Sequence, residues 1–518
     1  MAKGNHWKHY FNKRDLKSYH ACIWVGIATA LVSLLFRFVI NLTSQWRMDF
    51  FSASCSPLIK FILFVPVVWL IMLIIFTLIN RYPLIAGNGT EQAKAMINGH
   101  APRTHLLMNL FRKFLGASLS LGTGMALGRE GPSIQFGGTI GALFTRWFKI
   151  RPGREMYLIS AGTAAGIAAA LNSPLGGSVF IIESLLKTNN YRIAIYSLIG
   201  GLTGGLIAAA LMPNTDYLAI PLVRPEISDL KILRVFIVMA VFMSAVGIGF
   251  TYLVRFFSHR FHRGRYGVKI RLGALTIWIL VMGMIFPSFP GSGEQFMIEQ
   301  AMFGTTQLWQ IGIITLISIV FTAFCEGTLF PGGAFLPLLT VGGLCGRFFG
   351  ALMVLGGIAA PEQLPYFMFI GMSSAYVIIM RTPFSSFLIV AEMTGRWSIL
   401  LPSLAVGIMG FVITTGLRTE SLSSSLYNRL LERLHQDPDI PLRFCTEVMI
   451  SSYFDGKTPQ TIRLPEGCTI TEIIRDRESI GFTGEIALQS GDQLEFRVVS
   501  TEVEKVYQAL ICLSTDPR

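Results

Sequence analysis

The chain has 518 residues, of which 52% are hydrophobic and 14% charged, and its formal net charge is +13 at pH 7. This composition excludes an ordinary soluble protein, because about a quarter of the residues in soluble domains are charged. Apolar stretches recur along the chain, several of them close to the roughly 20 residues that span a bilayer, at 21–41, 58–80, 195–211, 233–254, 272–287, 309–324 and 398–416. The sequence therefore predicts a polytopic membrane protein.

Residues 1–19 are polar, basic and aromatic, with no small-residue cleavage site before the first apolar stretch. They predict a basic cytoplasmic segment and not a cleavable signal peptide. Further basic clusters lie beside apolar stretches at 146–154 and 255–271. Because positive residues flanking membrane spans mark the cytoplasmic side, the net charge indicates orientation in the membrane and not binding to nucleic acid.

The membrane body is predicted to occupy 20–427, and the composition changes abruptly after it. In 428–518 the charges return, together with alternating runs such as "QLEFRVV" at 493–499. This pattern is typical of strands and predicts a small soluble α/β domain, placed in the cytoplasm by the basic loops. The seven cysteines show no paired spacing and are interpreted as reduced.

Two segments of the membrane body resemble each other. "LNSPLGGSVFIIESL" (171–185) matches "MRTPFSSFLIVAEMT" (380–394), and a proline precedes a glutamate by nine residues in both. Upstream, "GREGP" (128–132) and "GAFLP" (333–337) both place a glycine four residues before a proline. Matching signals in the same order predict a duplicated transporter fold with repeats at about 20–211 and 231–427.

The four prolines of these motifs fit the first turn of a helix, where the missing N–H has no cost. Helix starts carry unpaired N–H groups and a partial positive charge, so they can hold an anion without a cationic side chain. Pro132 and Pro337 would mark one such start in each half, converging near the middle of the membrane. The alternative interpretation is four ordinary helix boundaries without a ligand.

Together, "GREGPSIQFGG", "GGAFLP" and the two proline-to-glutamate segments resemble the CLC family of chloride channels and chloride/proton antiporters. The resemblance covers roughly residues 20–430. It implies an all-α polytopic fold, an inverted repeat of short, tilted and broken helices, in the bacterial type with an extra C-terminal domain. It also implies a homodimer in the lipid of the cell (inner) membrane, with one pore per subunit, chloride as substrate, and no cofactor or metal.

The resemblance also implies a set of functional residues. Glu130 matches the external gating glutamate of the family, which takes the place of an anion when ionised. The alternative is that Glu130 only pairs with Arg129. Anion-binding groups would come from the main chain of Arg129, Glu130, Gly131, Ala334, Phe335 and Leu336, and from the hydroxyl of Tyr427. A tyrosine near a helix end is otherwise a common membrane-interface anchor.

The inner family motif "GSGIP" corresponds here to "GNGTE" at 87–91. After Gly87, Asn88 replaces the serine, and its side-chain N–H could still donate to an anion. Glu91 replaces the proline, and a carboxylate beside an anion path would repel the anion unless it points away or is protonated. Transport of another anion, such as nitrate, stays open as an alternative.

Antiporters of the family carry two adjacent glutamates after "FII", and the second is the inner proton-transfer site. Here "FIIES" provides Glu183 followed by Ser184, which cannot ionise. Glu183 or internal water could relay protons instead. The sequence leaves open whether the protein exchanges chloride for protons or is an uncoupled chloride channel.

The tail segments 464–474 and 488–498 faintly resemble ligand-binding modules of potassium-transport regulators, which would imply an unknown small ligand. A stabilising or dimer-reinforcing domain is the alternative. An enzyme is disfavoured because the membrane body lacks the H-E-x-x-H and G-x-S-x-G motifs. A cation carrier is the other alternative, but a cation site requires several carboxylates in its lining, and the motifs above provide helix starts and few acids. His259 and His262 are interpreted as solvated basic surface and not as a pair of metal ligands.

Overall fold

The computed structural model describes residues 13–98, 101, 105–150, 154–186, 191–212, 223, 229–263, 267–304, 307–434, 442–462, 464–475, 478–480, 485–500, 506 and 509–510. The first 12 residues of the predicted basic segment lie outside this range. The first half of the membrane body forms helices α1 Lys13–Ser52, α2 Pro57–Arg81, α3 Thr90–Ile97, α4 Leu106–Gly122, α5 Glu130–Trp147, α6 Glu155–Leu171, α7 Pro174–Phe180 and α8 Tyr191–Leu211. A π-helical segment, Ile181–Leu186, extends α7.

The second half forms α9 Asp229–Arg263, α10 Val268–Ile285, α11 Glu294–Phe303, α12 Leu308–Gly327, α13 Phe335–Leu355, α14 Leu364–Met380, α15 Pro383–Thr394, α16 Leu400–Gly416 and α17 Leu422–Leu434. Since α17 continues to Leu434, the domain boundary predicted after residue 427 falls inside a helix. Four strands follow, β1 Leu442–Met449, β2 Cys468–Arg475, β3 Glu478–Ser479 and β4 Gln493–Ser500. They form an antiparallel sheet of order β1-β4-β2-β3 around its own apolar core.

Among the described residues, nine helices are long and apolar enough to cross a membrane. Most of α2 is exposed, whereas most of α13 and α14 is buried inside the protein. Short helices α7 and α15 cannot span a bilayer, because a helix rises 1.5 Å per residue. Irregular backbone within a membrane is tolerated where protein surrounds it. The chain segments 128–133 and 330–336, which lead into α5 and α13, are buried in this way.

The predicted internal repeat corresponds to the same turn in each half. Asn172 ends α6 and Arg381 ends α14, and both adopt left-handed backbone angles, with φ of 53° and 59°. Each is followed by one residue and then by the proline that starts α7 or α15. A left-handed residue terminates a helix and a first-turn proline begins the next, so a short sequence signature produces a break in both repeats.

Close helix packing is also repeated. A Cβ added to Gly137 of α5 would overlap the carbonyl oxygen of Gly162 in α6, and a Cβ on Gly371 of α14 would overlap that of Gly342 in α13. Small residues at such positions let helix backbones approach within a membrane. The glycines thus allow close packing of α5 against α6 and of α13 against α14, the pairs that include the helix starts at Glu130 and Phe335.

Each of the two glutamates of the internal repeat, Glu183 and Glu392, caps the start of a short helix in the opposite half of the protein. Glu392 of α15 accepts hydrogen bonds at the start of α7 from Ser173 Oγ at 2.5 Å, Gly176 N at 2.8 Å and Leu175 N at 3.2 Å. Glu183 accepts them at the start of α15, from Ser385 Oγ, Ser385 N and Phe384 N at 2.7, 2.8 and 3.0 Å. Carboxylates stabilise helix starts through N–H groups and the helix dipole.

We expect Glu392→Ala and Glu183→Ala to lower thermal stability to a similar extent. Each removes a charged acceptor of three hydrogen bonds, for a loss of about 2 kcal/mol. The measurement is the thermal unfolding midpoint of the purified protein in detergent. Glu362→Ala, on an exposed turn before α14, is the matched control. An unchanged midpoint for both cap variants would contradict a stabilising role.

Candidate functional site

The glycine motifs of the two halves meet face to face. Gly128 and Gly333 form an isolated antiparallel bridge, with N···O distances of 2.6 Å in both directions. Two residues later in each chain segment, α5 begins at Glu130 and α13 at Phe335. This bridge fixes the two helix starts side by side, in the arrangement that the paired motifs led us to expect.

The Glu130 side chain reaches the start of the opposite helix. Its Oε1 accepts hydrogen bonds from Phe335 N at 2.6 Å and from Leu336 N at 3.1 Å. The residue is 2% exposed, and its Oε2 has no hydrogen-bond partner in the part of the chain that the structure describes. A carboxylate thus occupies the N-terminal end of α13, where an anion binds most favourably on a helix.

Arg129 points its guanidinium elsewhere. Its Nη2 lies 3.2 Å from Glu294 Oε2 at the start of α11, and both side chains are largely buried. The hydrogen bonds of Glu130, in contrast, come from main-chain groups of α13. The alternative interpretation of Glu130 as a mere partner of Arg129 therefore does not account for the position of its carboxylate.

The segment Gly87–Glu91 provides a third wall. Gly131 lies so close to Asn88 that a Cβ on Gly131 would overlap the Asn88 carbonyl oxygen and Oδ1. Gly89 has φ of 104°, and its Cβ would overlap the Gly131 carbonyl oxygen, so both positions require glycine. Asn88 Oδ1 accepts from Ala334 N at 3.4 Å. The amide oxygen, and not the N–H group expected to serve an anion, thus faces this helix start.

Asn88 borders two cavities. The first contains about 270 Å³ of empty space and adjoins the Glu130 carboxylate, with a lining of Asn88, Thr90, Glu130, Ile134, Ile167, Leu171, Phe180, Phe335, Tyr376 and Ile389. The second contains about 440 Å³, part of it open to solvent, with a lining of Ala86, Gly87, Asn88, Glu91, Gln92, Glu326, Leu329, Phe330, Leu426, Arg429, Leu430 and Arg433. We call the first the gate cavity, after the role that the sequence predicts for Glu130. We call the second the α17 cavity, because α17 contributes the last four of its lining residues.

Of the "FIIES" residues at 180–184, Phe180 lines the gate cavity, and the two polar residues Glu183 and Ser184 line neither cavity. Glu183 caps α15 as described above, and Ser184 is 7% exposed within the π-helical segment. Neither contributes to the lining of the gate cavity or of the α17 cavity. A proton passing Glu183 would have to disrupt the cap, since its carboxylate oxygens already accept three hydrogen bonds.

Tyr427 packs beside the α17 cavity without lining it. Its ring belongs to a small apolar cluster with Met96 and Leu430, and the Lys94 ammonium lies 4.6 Å from the ring centroid. The neighbouring residues Leu426 and Leu430 do line the cavity. An anion contact of the Tyr427 hydroxyl therefore stays a prediction.

Three polar residues at the site were missed by the sequence analysis. Tyr376 of α14 lines the gate cavity, with its ring 4.4 Å from that of Phe335. Glu326 lines the α17 cavity, and Lys113 Nζ donates to the main-chain oxygens of Ile85 and Gly87 at 3.0 and 2.7 Å. Glu326 and Lys113 had a usable signal, because an ionisable residue within an apolar helix is functional by default. Tyr376 had no such signal.

A family model described as "Voltage gated chloride channel" matches residues 71–415. The chain belongs to the CLC family. This membership confirms the resemblance and the fold predicted from the glycine motifs, and anion transport is its general function. The N-terminal helix α1 and the sheet-forming tail lie outside the matched range of this CLC protein.

Similar proteins agree with this assignment. The H(+)/Cl(-) exchange transporter ClcA of Vibrio cholerae is 27% identical over 447 residues, which cover 80% of this chain and 90% of that protein. ClcA of Yersinia pseudotuberculosis is 25% identical over 423 residues, covering 80% and 87%. The matched region therefore covers nearly the full length of both exchangers.

Solved structures share the fold of this CLC protein. A slow cyanobacterial Cl⁻/H⁺ antiporter superposes with a TM-score of 0.72 at 23% identity, covering 80% of this chain and 98% of the antiporter. A CLC-type fluoride/proton antiporter gives 0.63 at 18% identity, covering 78% and 97%. These likenesses establish the arrangement of helices.

Proposed function

We propose that this CLC protein exchanges chloride for protons across the cell membrane. The observation that carries the proposal is the Glu130 carboxylate, held by the Phe335 and Leu336 N–H groups at the start of α13. One ionisable acid there competes with an anion for the same donors. The exchanger names of the relatives, which cover 80% of this chain, support coupling over simple conduction.

In the proposed cycle, ionised Glu130 blocks the anion path. Protonation removes the charge that binds the carboxylate to the positive end of α13, so the side chain leaves and a chloride ion takes over the two N–H groups. The proton then crosses on Glu130, and the returning carboxylate displaces chloride. The ionised carboxylate and chloride exclude each other at the two N–H groups. Chloride therefore binds there only while Glu130 is protonated, and this dependence couples the two fluxes.

The anion ligands are proposed to be the main chain at Arg129–Gly131 and Ala334–Leu336, with Gly87 and Asn88 on the α17 side. Tyr427, which packs beside the α17 cavity, is proposed to contact an anion through its hydroxyl. Because the Asn88 oxygen faces Ala334 N, the amide must turn over before its N–H group can serve an anion. Selectivity between chloride, nitrate and fluoride then depends on whether the anion receives a hydrogen bond from the rotated Asn88 amide, and it can be measured.

We also propose a homodimer with both termini in the cytoplasm. Basic clusters beside the spans support the orientation, and the resemblance supports the dimer. Exposed apolar side chains such as Leu206 and Leu401, 69% and 73% exposed, would face lipid or the second copy. The tail, residues 428–518, is proposed as a cytoplasmic α/β domain that either strengthens the dimer or binds a small ligand.

The test is transport by the purified protein in liposomes. An outward chloride gradient should drive proton uptake against a proton gradient, recorded together with chloride efflux. Chloride efflux without a proton signal would overturn exchange and favour an uncoupled channel, the candidate that Ser184 supports. Parallel runs with nitrate and fluoride in place of chloride identify the preferred anion.

A further inference from the structure

The α17 cavity contains two buried acids that gate chemistry at Glu130 does not use. Glu91 lies in the first turn of α3 and Glu326 in the last turn of α12, and the two are 3% and 5% exposed. Both line the cavity. The Oε1 atom of each has no hydrogen-bond partner among the residues described, which leaves it available to water or to a proton.

The charged surroundings of the two acids come from four elements. Lys113 of α4 and Lys94 of α3 act on Glu91, while Glu130 of α5 and Glu91 itself act on Glu326. From α17, Arg429 and Arg433 line the same cavity. Lys113 donates to the carbonyl oxygens of Ile85 and Gly87, so its ammonium group is already held by main-chain oxygens.

Two acids facing one water-accessible cavity favour a shared proton. A buried carboxylate without a full complement of donors is costly in its ionised form, and a second nearby carboxylate adds repulsion. Binding one proton removes both costs. The same groups would repel chloride when both are ionised, so their protonation also favours passage of an anion.

We propose that Glu91 and Glu326 form the proton-binding station between the solvent and Glu130. They would take over the role of the second glutamate of family antiporters, whose position Ser184 occupies in this chain. A proton from water binds one of the two carboxylates, leaves it through cavity water past Asn88, and arrives on Glu130. The station then returns to its original ionisation, so one proton moves and no bond between heavy atoms changes. This proposal rests on the exchange function proposed above.

Position supports such a path. Asn88 belongs to the lining of both cavities, and Glu91 is one residue beyond Thr90, which lines the gate cavity. The segment 88–91 therefore separates the station from Glu130 by a single turn of chain. Arg429 and Arg433 at the α17 end supply positive charge that attracts chloride to the same entrance, so both ions share one mouth.

The experiment records proton and chloride fluxes in liposomes for wild type, Glu91→Gln, Glu326→Gln and the double variant. We expect the double variant to lose about a hundredfold in proton flux while chloride flux persists, which also shows that it is folded. Glu326→Asp, which keeps a carboxyl group, should retain coupling. Glu362→Gln is the matched control on the exposed turn.

Three outcomes would overturn the proposal. Wild-type coupling in the double variant would overturn the station and leave exchange standing. Equal loss in Glu326→Asp and Glu326→Gln would indicate a structural role. Wild type without any proton flux would overturn exchange and the station together. If the double variant passes no chloride, the two single variants decide, because loss of one of two carboxylates that share a proton should lower proton flux. Wild-type proton flux in both Glu91→Gln and Glu326→Gln would then overturn the station.

Discussion

Replacing Glu130 with glutamine is expected to abolish proton movement and to leave chloride flux in place. Glutamine does not bind and release a proton at the pH values of the transport experiment. Its neutral amide also loses the attraction of a carboxylate to the positive end of α13, which is about 1 kcal/mol or more in a buried position. Chloride then wins the competition for Phe335 N and Leu336 N. The measurement is paired recording of both ions in liposomes, where proton flux should fall by about two orders of magnitude.

The control is the same substitution at a glutamate outside the site. Glu362→Gln, on the exposed turn before α14, should behave as wild type in both fluxes. Chloride flux in Glu130→Gln should also lose the part of its pH dependence that comes from displacement of the Glu130 carboxylate, because that titrating group is gone. A Glu130→Gln protein that still pumps protons at the wild-type rate would show that Glu130 is not the gate.

Changing Gly131 to alanine is expected to eliminate chloride binding and both fluxes. The added Cβ would overlap the Asn88 carbonyl oxygen, Asn88 Oδ1 and the Gly333 Cα. These are main-chain and short side-chain atoms that cannot give way, so the two helix starts must separate. Overpacking of this kind typically costs about 1–3 kcal/mol, and here the displacement moves the N–H donors themselves. Calorimetric titration with chloride measures the loss of binding directly.

Gly249 in α9 provides the matched substitution, because a Cβ on it would meet nothing within 4 Å. Gly249→Ala should bind and transport chloride normally, and it should raise stability slightly, since alanine is favoured over glycine in a helix by about 1 kcal/mol. Normal chloride affinity in Gly131→Ala would contradict the close approach of Gly131 and Asn88 as a requirement of the site.

The two similar proline-to-glutamate segments, 171–185 and 380–394, are a case in which the local sequence predicts where a helix begins. Pro174 and Pro383 begin short helices, because proline fixes a first-turn conformation whatever surrounds it. The partner of each glutamate was not predictable in this way. Glu183 and Glu392 cap the helix of the opposite repeat, and such a contact depends on how the two halves pack.

The α17 cavity illustrates the limit more sharply. Glu91 stands out in the sequence as a departure from a motif, and Glu326 as an ionisable residue within an apolar helix. That the two acids share a cavity could not be predicted, since residues 235 positions apart carry no common periodicity. The structure places both in the lining of one cavity with Arg429 and Arg433. The hydrogen bond from Ala334 N to Asn88 Oδ1 likewise joins residues 246 positions apart.

The sequence by itself determined that the chain is a membrane protein, that its helices break at glycine and proline in two matching halves, and that an acid lies at one of these breaks. These features follow from hydropathy and backbone preferences, which act over a few residues. Only the tertiary structure decided which helix start receives Glu130, which helices Glu183 and Glu392 cap, and which acids share a cavity. Such pairings join residues about 200 positions apart, and they depend on the close fit of glycine-rich helices, which no short segment encodes.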